Sequence, residues 1–127
     1  MASGSGELTG KRVLIVEDEA LVTMLIEDAL AELGCQVAGN ASRFDDALAK
    51  AQSLPFDVAI LDVNLDGHRS FPIAEALARR GVAFLFATGY GMAGLPAGAT
   101  GAPVLEKPFR LQDLRDALEA ALKPRQE

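Results

Sequence analysis

The chain has one cysteine, Cys35, one histidine, His68, one tyrosine, Tyr90, and no tryptophan. A single thiol closes no internal disulfide and builds no thiolate metal cluster, which fits a reducing cytoplasm. Long apolar runs are missing too: the longest, at 82–87, is far too short to span a bilayer. The opening MASGSGELTGKR has no apolar centre, so it is not a secretory signal. Residues 1–10 read as a flexible arm or an expression scar, and 124–127 as a tail. Positive charge is scarce. Twelve Lys and Arg stand against 18 Asp and Glu, and the net charge of −6 argues against both nucleic acid and an anionic membrane as partners.

What is present is alternation. RVLIV (12–16) is a β-branched apolar run of the kind buried on both faces of a sheet. Val22, Ile26, Ala29, Leu30 and Leu33 follow at helical spacing, and Gly34 stops that helix. Met24 and Phe44 belong to such stripes and are expected in the core. CQVAG (35–39) predicts a weaker strand, SRFDDALAKAQS (42–53) a helix, and FDVAIL (56–61) a third strand after Pro55. SFPIAEALARRG (70–81) opens with Ser and an early Pro and closes with two Arg and Gly, a well-punctuated helix. VAFLFA (82–87) and PVLE (103–106) are strands four and five, and RLQDLRDALEAAL (110–122) is the closing helix. Strand and helix repeated about five times over 127 residues predict one α/β domain, a parallel sheet with helices on both faces. The weak link is 91–102, where four glycines and a proline allow at most a short or irregular helix.

A parallel sheet delivers the C-terminal ends of all its strands to one edge, where ligands bind in such folds. There the sequence puts Glu17 and Asp18, Asp62 with Asn64 two residues on, Thr88, and Lys107. Taken singly, each has an ordinary reading: Asp18 as a helix cap, Asp62 as the start of the turn NLDG, the others as unremarked strand ends. Together they are harder to dismiss. Three crowded carboxylates repel, and at least one tends to keep its proton. A hard divalent cation such as Mg²⁺ relieves that repulsion, and a nearby lysine and hydroxyl suit a phosphoryl group.

The ordered set VLIVEDE, DVAILDVNLDG, FATG and LEKPF resembles the receiver domain of two-component response regulators, from about Lys11 to Leu122. The resemblance implies a flavodoxin-like, doubly wound sheet of strand order 2-1-3-4-5 over residues 11–123. It implies Asp62 as phosphoacceptor, Asp18 and Glu17 as Mg²⁺ ligands with Asp62 and the backbone carbonyl of Asn64, and Lys107 and Thr88 on the phosphoryl oxygens. It also implies a cis Lys107–Pro108 peptide, and a sensor histidine kinase or phosphotransfer protein as donor. A downstream protein partner, still unidentified, would read the switch. The chain would be either a single-domain regulator or part of a longer protein. Val104 stands where many receivers carry an aromatic residue. With FATGY at strand four, this resembles a receiver subgroup that is often single-domain and linked to stress signalling. Thr88, Tyr90, Val104 and the glycine-rich 91–102 loop are then the expected switch elements.

Two enzyme readings compete. Gly89, Gly91 and Gly94 spell the G-x-G-x-x-G of a dinucleotide loop, with Glu106 near the distance of a ribose-binding acid. That reading needs a regular helix where the sequence has Pro96, Gly98 and Gly101, and only one strand follows. An Mg²⁺-dependent aspartyl-phosphate phosphohydrolase would use Asp62 as well, but needs a carboxylate where Asn64 stands. His68 reads as a solvated loop residue rather than a phosphotransfer histidine.

Overall fold

A computed structural model of the chain describes residues 8–65, 67–89 and 102–123. Tyr90, most of the 91–102 loop with Gly91 and Gly94, Asp66, and the tail at 124–127 lie outside the described residues. The elements run β1 (Arg12–Val16), α1 (Ala20–Glu32), β2 (Gln36–Ala41), α2 (Phe44–Ser53) and β3 (Val58–Asp62). Two short strands, β4 (Asn64–Leu65) and β5 (His68–Arg69), precede α3 (Phe71–Arg80), β6 (Ala83–Thr88), β7 (Val104–Glu106) and α4 (Leu111–Leu122). The main sheet is parallel, in the order β2-β1-β3-β6-β7. Counting its five strands in sequence, this is the expected 2-1-3-4-5.

The apolar runs are continuous because both faces of the central strands are covered. Along β1, Leu14 and Val16 enter one core with Ala47 and Ala51 of α2 and Ile73 and Leu77 of α3. Val13 and Ile15 enter the other, with Ile26 and Leu30 of α1 and Leu114 and Leu118 of α4. The same split runs through β3, where Ala59 and Leu61 face one layer and Val58 and Ile60 the other. Helix ends follow the sequence punctuation. Gly34 takes φ +83° after α1, in the left-handed region that glycine enters without a Cβ clash. At α4 the Arg110 N–H donates to the Asp113 carboxylate at 3.0 Å.

Four details differ from the sequence expectation. Met24 is 56% exposed, not core: at 100° per residue it lies 200° around α1 from the buried Ile26. Phe44 does pack against the core, half-buried, with its ring 5.8 Å from that of His68. β2 runs two residues past 39, because Asn40 and Ala41 pair with Ile15 and Val16. Asn64 and Leu65, expected to open the NLDG turn, instead form β4, paired antiparallel with β5, and Gly67 takes φ +85°. Finally, Leu8 is 1% exposed and joins the Val13–Ile15 core, while the Gly10 N–H donates to the Gly34 carbonyl at 2.8 Å. The packed chain therefore reaches into the segment expected to be an arm.

Ser70, at the start of α3, is fully buried, and its Oγ is the one buried side-chain polar atom without a hydrogen-bond partner among the described residues. Its backbone does the capping instead, with the Ser70 carbonyl accepting from Ile73 and Ala74. A buried hydroxyl without a partner costs on the order of 1–3 kcal/mol. Ser70→Ala should raise stability by about 1 kcal/mol in urea unfolding at an unchanged m-value. A fall of that size would show that the hydroxyl is satisfied, by water or otherwise.

Candidate functional site

The C-terminal edge of the sheet gathers the residues singled out by sequence. β3 is central, so Asp62 stands between the end of β1, which carries Glu17 and Asp18, and the end of β6, which carries Thr88. Glu17, Asp18 and Asp62 can each offer a carboxylate oxygen within 4.8 Å of the others. Glu17, Asp62 and Thr88 are buried, whereas Asp18 is exposed. Lys107, one residue beyond β7, reaches the cluster from the other side. Its backbone N–H donates to the Thr88 carbonyl at 2.9 Å, which fixes where its side chain starts. The Lys107–Pro108 peptide that follows is cis.

Asp18 is not the cap of α1. That position is Glu19, whose side chain makes no capping bond; its N–H donates instead to Glu17 Oε2 at 3.1 Å. The other Glu17 oxygen, Oε1, accepts from Lys107 Nζ at 2.9 Å. Asp62 is held more loosely. The Asn64 N–H donates to its Oδ1 across 3.4 Å, and Lys107 Nζ stands 3.6 Å from the same oxygen. Asn64 itself is exposed on β4. A cleft of about 520 Å³ runs from Glu17 and Asp18 between the first turns of α1 and α2, past Met24, Asn40, Ser42 and Asp46.

The electrostatics follow from that placement. Burial, and then the charge of Glu17, push the Asp62 carboxyl up from 3.8 to about 7. Lys107, the Asn64 N–H and, in the opposite sense, Asp18 modify this less. Burial pulls the Lys107 ammonium down, but its bond to Glu17 and the charges of Asp62, Glu17 and Glu19 carry it above its ordinary value. The lysine therefore stays charged, while Asp62 is the carboxyl of the cluster pushed toward binding a proton, as the crowding of acids in the sequence suggested.

Such a set of hard oxygen donors fits Mg²⁺. The chemistry open to it is charge stabilisation: an oxygen nucleophile, Asp62, with one ammonium within reach and two further carboxylates to hold a cation. What spacing alone did not reveal is the partner of Lys107. The sequence put the lysine at the edge as a lone positive charge, and nothing in a separation of 90 residues says that it bonds Glu17 rather than Asp62. The dinucleotide reading finds β6 ending at Thr88 and Gly89, while the helix it needs falls outside the described residues. His68 is exposed, on the short strand β5 rather than in a loop.

A family model described as "Response regulator receiver domain" matches residues 13–119. The transcriptional regulatory protein PdtaR of Mycobacterium tuberculosis is 32% identical over 116 residues, covering 88% of this chain and 57% of that protein. TcrA of the same organism, also a transcriptional regulatory protein, is 36% identical over 122 residues, covering 91% and 47%. The chain thus spans about half the length of these curated relatives. Among solved structures, SdrG from Sphingomonas melonis Fr1 aligns at a TM-score of 0.80 and 41% identity, covering 96% of this chain and all of that one.

The raised carboxyl gives the site a pH signature. Asp62 binds its proton more tightly in the folded than in the unfolded chain, so between about pH 4 and 7 the folded state holds more protons, and stability falls as pH rises through that window. Asp62→Asn removes the effect. In EDTA, the variant should melt at nearly the wild-type temperature at pH 4 and clearly above it at pH 8. A difference in Tm that does not grow with pH would mean that Asp62 is not held in a protonated, crowded state.

Proposed function

This chain belongs to the response regulator receiver domain family of two-component systems, and on that premise we propose that it is a phosphorylation-dependent signalling switch whose acceptor is Asp62. The observation that carries the assignment is the loose hold on Asp62. It is the central, buried carboxylate of the cluster, yet among the described residues its partners are a 3.4 Å amide bond and a lysine 3.6 Å away. Glu17, by contrast, has both oxygens engaged by short bonds.

In this reading a sensor histidine kinase or a phosphotransfer protein presents a phosphoimidazole at the site. An Asp62 oxygen forms a bond to phosphorus, the P–N bond breaks, and the imidazole leaves with its electron pair. Glu17, Asp18, Asp62 and the Asn64 carbonyl would hold Mg²⁺, which supplies positive charge to the phosphoryl oxygens when bound. Lys107 places an ammonium beside the same oxygens, and Thr88, buried at the end of β6, offers its hydroxyl. The chain acts as a substrate and switch and not as an enzyme turning over a separate substrate. A phosphohydrolase would need an acid where Asn64 stands. The setting is cytoplasmic, where the donor histidine is phosphorylated; among the described residues no helix is long and apolar enough to cross a membrane.

Output belongs to the β6–β7 side. Val104 pairs with Phe86 in the sheet, so the two side chains share a face, and Phe86 is held edge-on by Phe71 and Phe84. A β-branched residue is stiff at χ1 and cannot swing as an aromatic reporter would. Thr88, Tyr90 and the loop that follows are therefore the proposed route to a downstream protein partner.

With acetyl phosphate and Mg²⁺, the intact mass of the chain should rise by one phosphoryl group, and EDTA or Asp62→Asn should abolish the increase. Label that survives in the variant, or that maps to His68, would overturn the assignment.

A further inference from the structure

Met24 has no part in the proposed phosphoryl transfer. Its helical stripe suggests a core residue, yet it is 56% exposed. It lines the cleft of about 520 Å³ that begins at Glu17 and Asp18. Helical side chains lean toward the N-terminus of their helix, which carries the Met24 thioether back over Ala20, one turn nearer the acidic cluster. Ala20 offers a single methyl group there, too small to cover the sulfur. Met24 is also the chemical exception in the cleft. Among the described residues that line it, and leaving aside Ala20 and Ala41, every other side chain presents an oxygen: Thr23, Asn40, Ser42 and Asp46 besides the two acids.

We propose that Met24 is an oxidation site through which peroxide tunes the cation site, its sulfoxide adding the oxygen that this stretch of the cleft wall lacks. This rests on the Mg²⁺ site proposed above and adds a redox input to it. A sulfur lone pair attacks one oxygen of hydrogen peroxide, the O–O bond breaks, and an S–O bond forms. The departing hydroxide takes the proton from the new S–OH group and leaves as water, so the sulfur is oxidised and the peroxide reduced. The product is methionine sulfoxide, which reductases return to the thioether. A thioether is soft and a weak hydrogen-bond acceptor, with little to offer a hard cation or its waters. The sulfoxide oxygen is polar and accepts hydrogen bonds. Mg²⁺ usually keeps several waters, whose protons need acceptors in the wall around Glu17 and Asp18. Leu21 and Leu25, exposed on the same helix, are inert to peroxide, so the response of this surface is confined to the side chain in the cleft.

The test treats the full chain, free of metal, with hydrogen peroxide and follows it by peptide mass mapping and titration calorimetry. Met24 should gain one oxygen atom. Mg²⁺ should then bind about fivefold more tightly, the effect of one added hydrogen bond of about 1 kcal/mol. Methionine sulfoxide reductase should return the affinity to its starting value. Met24→Leu keeps the apolar surface without the sulfur, and its affinity should not change with peroxide. That variant also controls for Met1, Met92 and Cys35, the other sulfurs of the chain. A Met24 thioether that resists peroxide overturns the proposal, as does an oxidised chain whose affinity is unchanged or weaker. An equal gain in treated Met24→Leu assigns the effect to another residue and overturns it too. Untreated wild type that binds no Mg²⁺ would sink the metal reading and this inference with it. Binding that peroxide leaves alone would sink this inference only.

Discussion

Three carboxylates and one ammonium meet at the end of a parallel sheet, and their charge imbalance organises the rest of the site. The topology creates the imbalance. A five-stranded parallel sheet with helices on both faces must turn every strand at the same edge, and side chains just past those ends have nowhere else to go. Burial then raises the stakes. Glu17 and Asp62 are nearly enclosed, so their mutual repulsion is not screened as it would be at a surface, and a single lysine cannot satisfy both at short range. The lysine goes to Glu17, and Asp62 is left with a raised carboxyl and weak bonds. A carboxylate that is buried and loosely held, next to groups that could neutralise it, is the arrangement the proposed phosphoacceptor needs.

Much of this was legible in the sequence, for definite physical reasons. Strands buried on both faces read as unbroken β-branched runs, so RVLIV coincides with β1 and VAIL with most of β3. Helices with strong punctuation, such as α3 between Ser70 and the left-handed Gly81, were bounded to within a residue. Because the strands were right, the residues that follow them had to share an edge, and the acidic cluster was predictable as a set. The misreadings have equally definite causes. Met24 is apolar in a helix whose apolar residues extend beyond the buried stripe, and composition cannot tell the two faces apart when Leu21 and Leu25 are also exposed. Leu8 is a lone apolar residue ahead of any periodic pattern, so nothing local says that it joins the core to which α1 and α4 contribute.

Pairing within the cluster was not legible at all. Register places a residue at an edge, but which of two carboxylates a lysine selects depends on differences of less than an ångström between side chains from three strands. That selection has consequences. Were Lys107 paired with Asp62, the resting chain would neutralise its proposed acceptor and leave Glu17 as the crowded acid. Pairing with Glu17 reverses this: Glu17 is satisfied, and Asp62, the proposed acceptor, is not.

The same reasoning explains why one carboxylate of the three is exposed. Asp18 lines the cleft between α1 and α2 and is exposed, while Glu17 and Asp62 are buried. A third buried acid would have to be neutralised by a second buried cation or remain protonated, and each alternative would cost stability in the resting chain. Exposed, Asp18 keeps its hydration and can still contribute an oxygen within 4.8 Å of the other two. The site is therefore divided between a dry interior, where Glu17 and Lys107 balance each other around Asp62, and a wet entrance, where a hydrated cation would first meet the protein. Dehydrating that cation is hard for Mg²⁺, which gives up its waters reluctantly. Exposed at that entrance, Asp18 would be the carboxylate able to meet such a cation with its waters still in place.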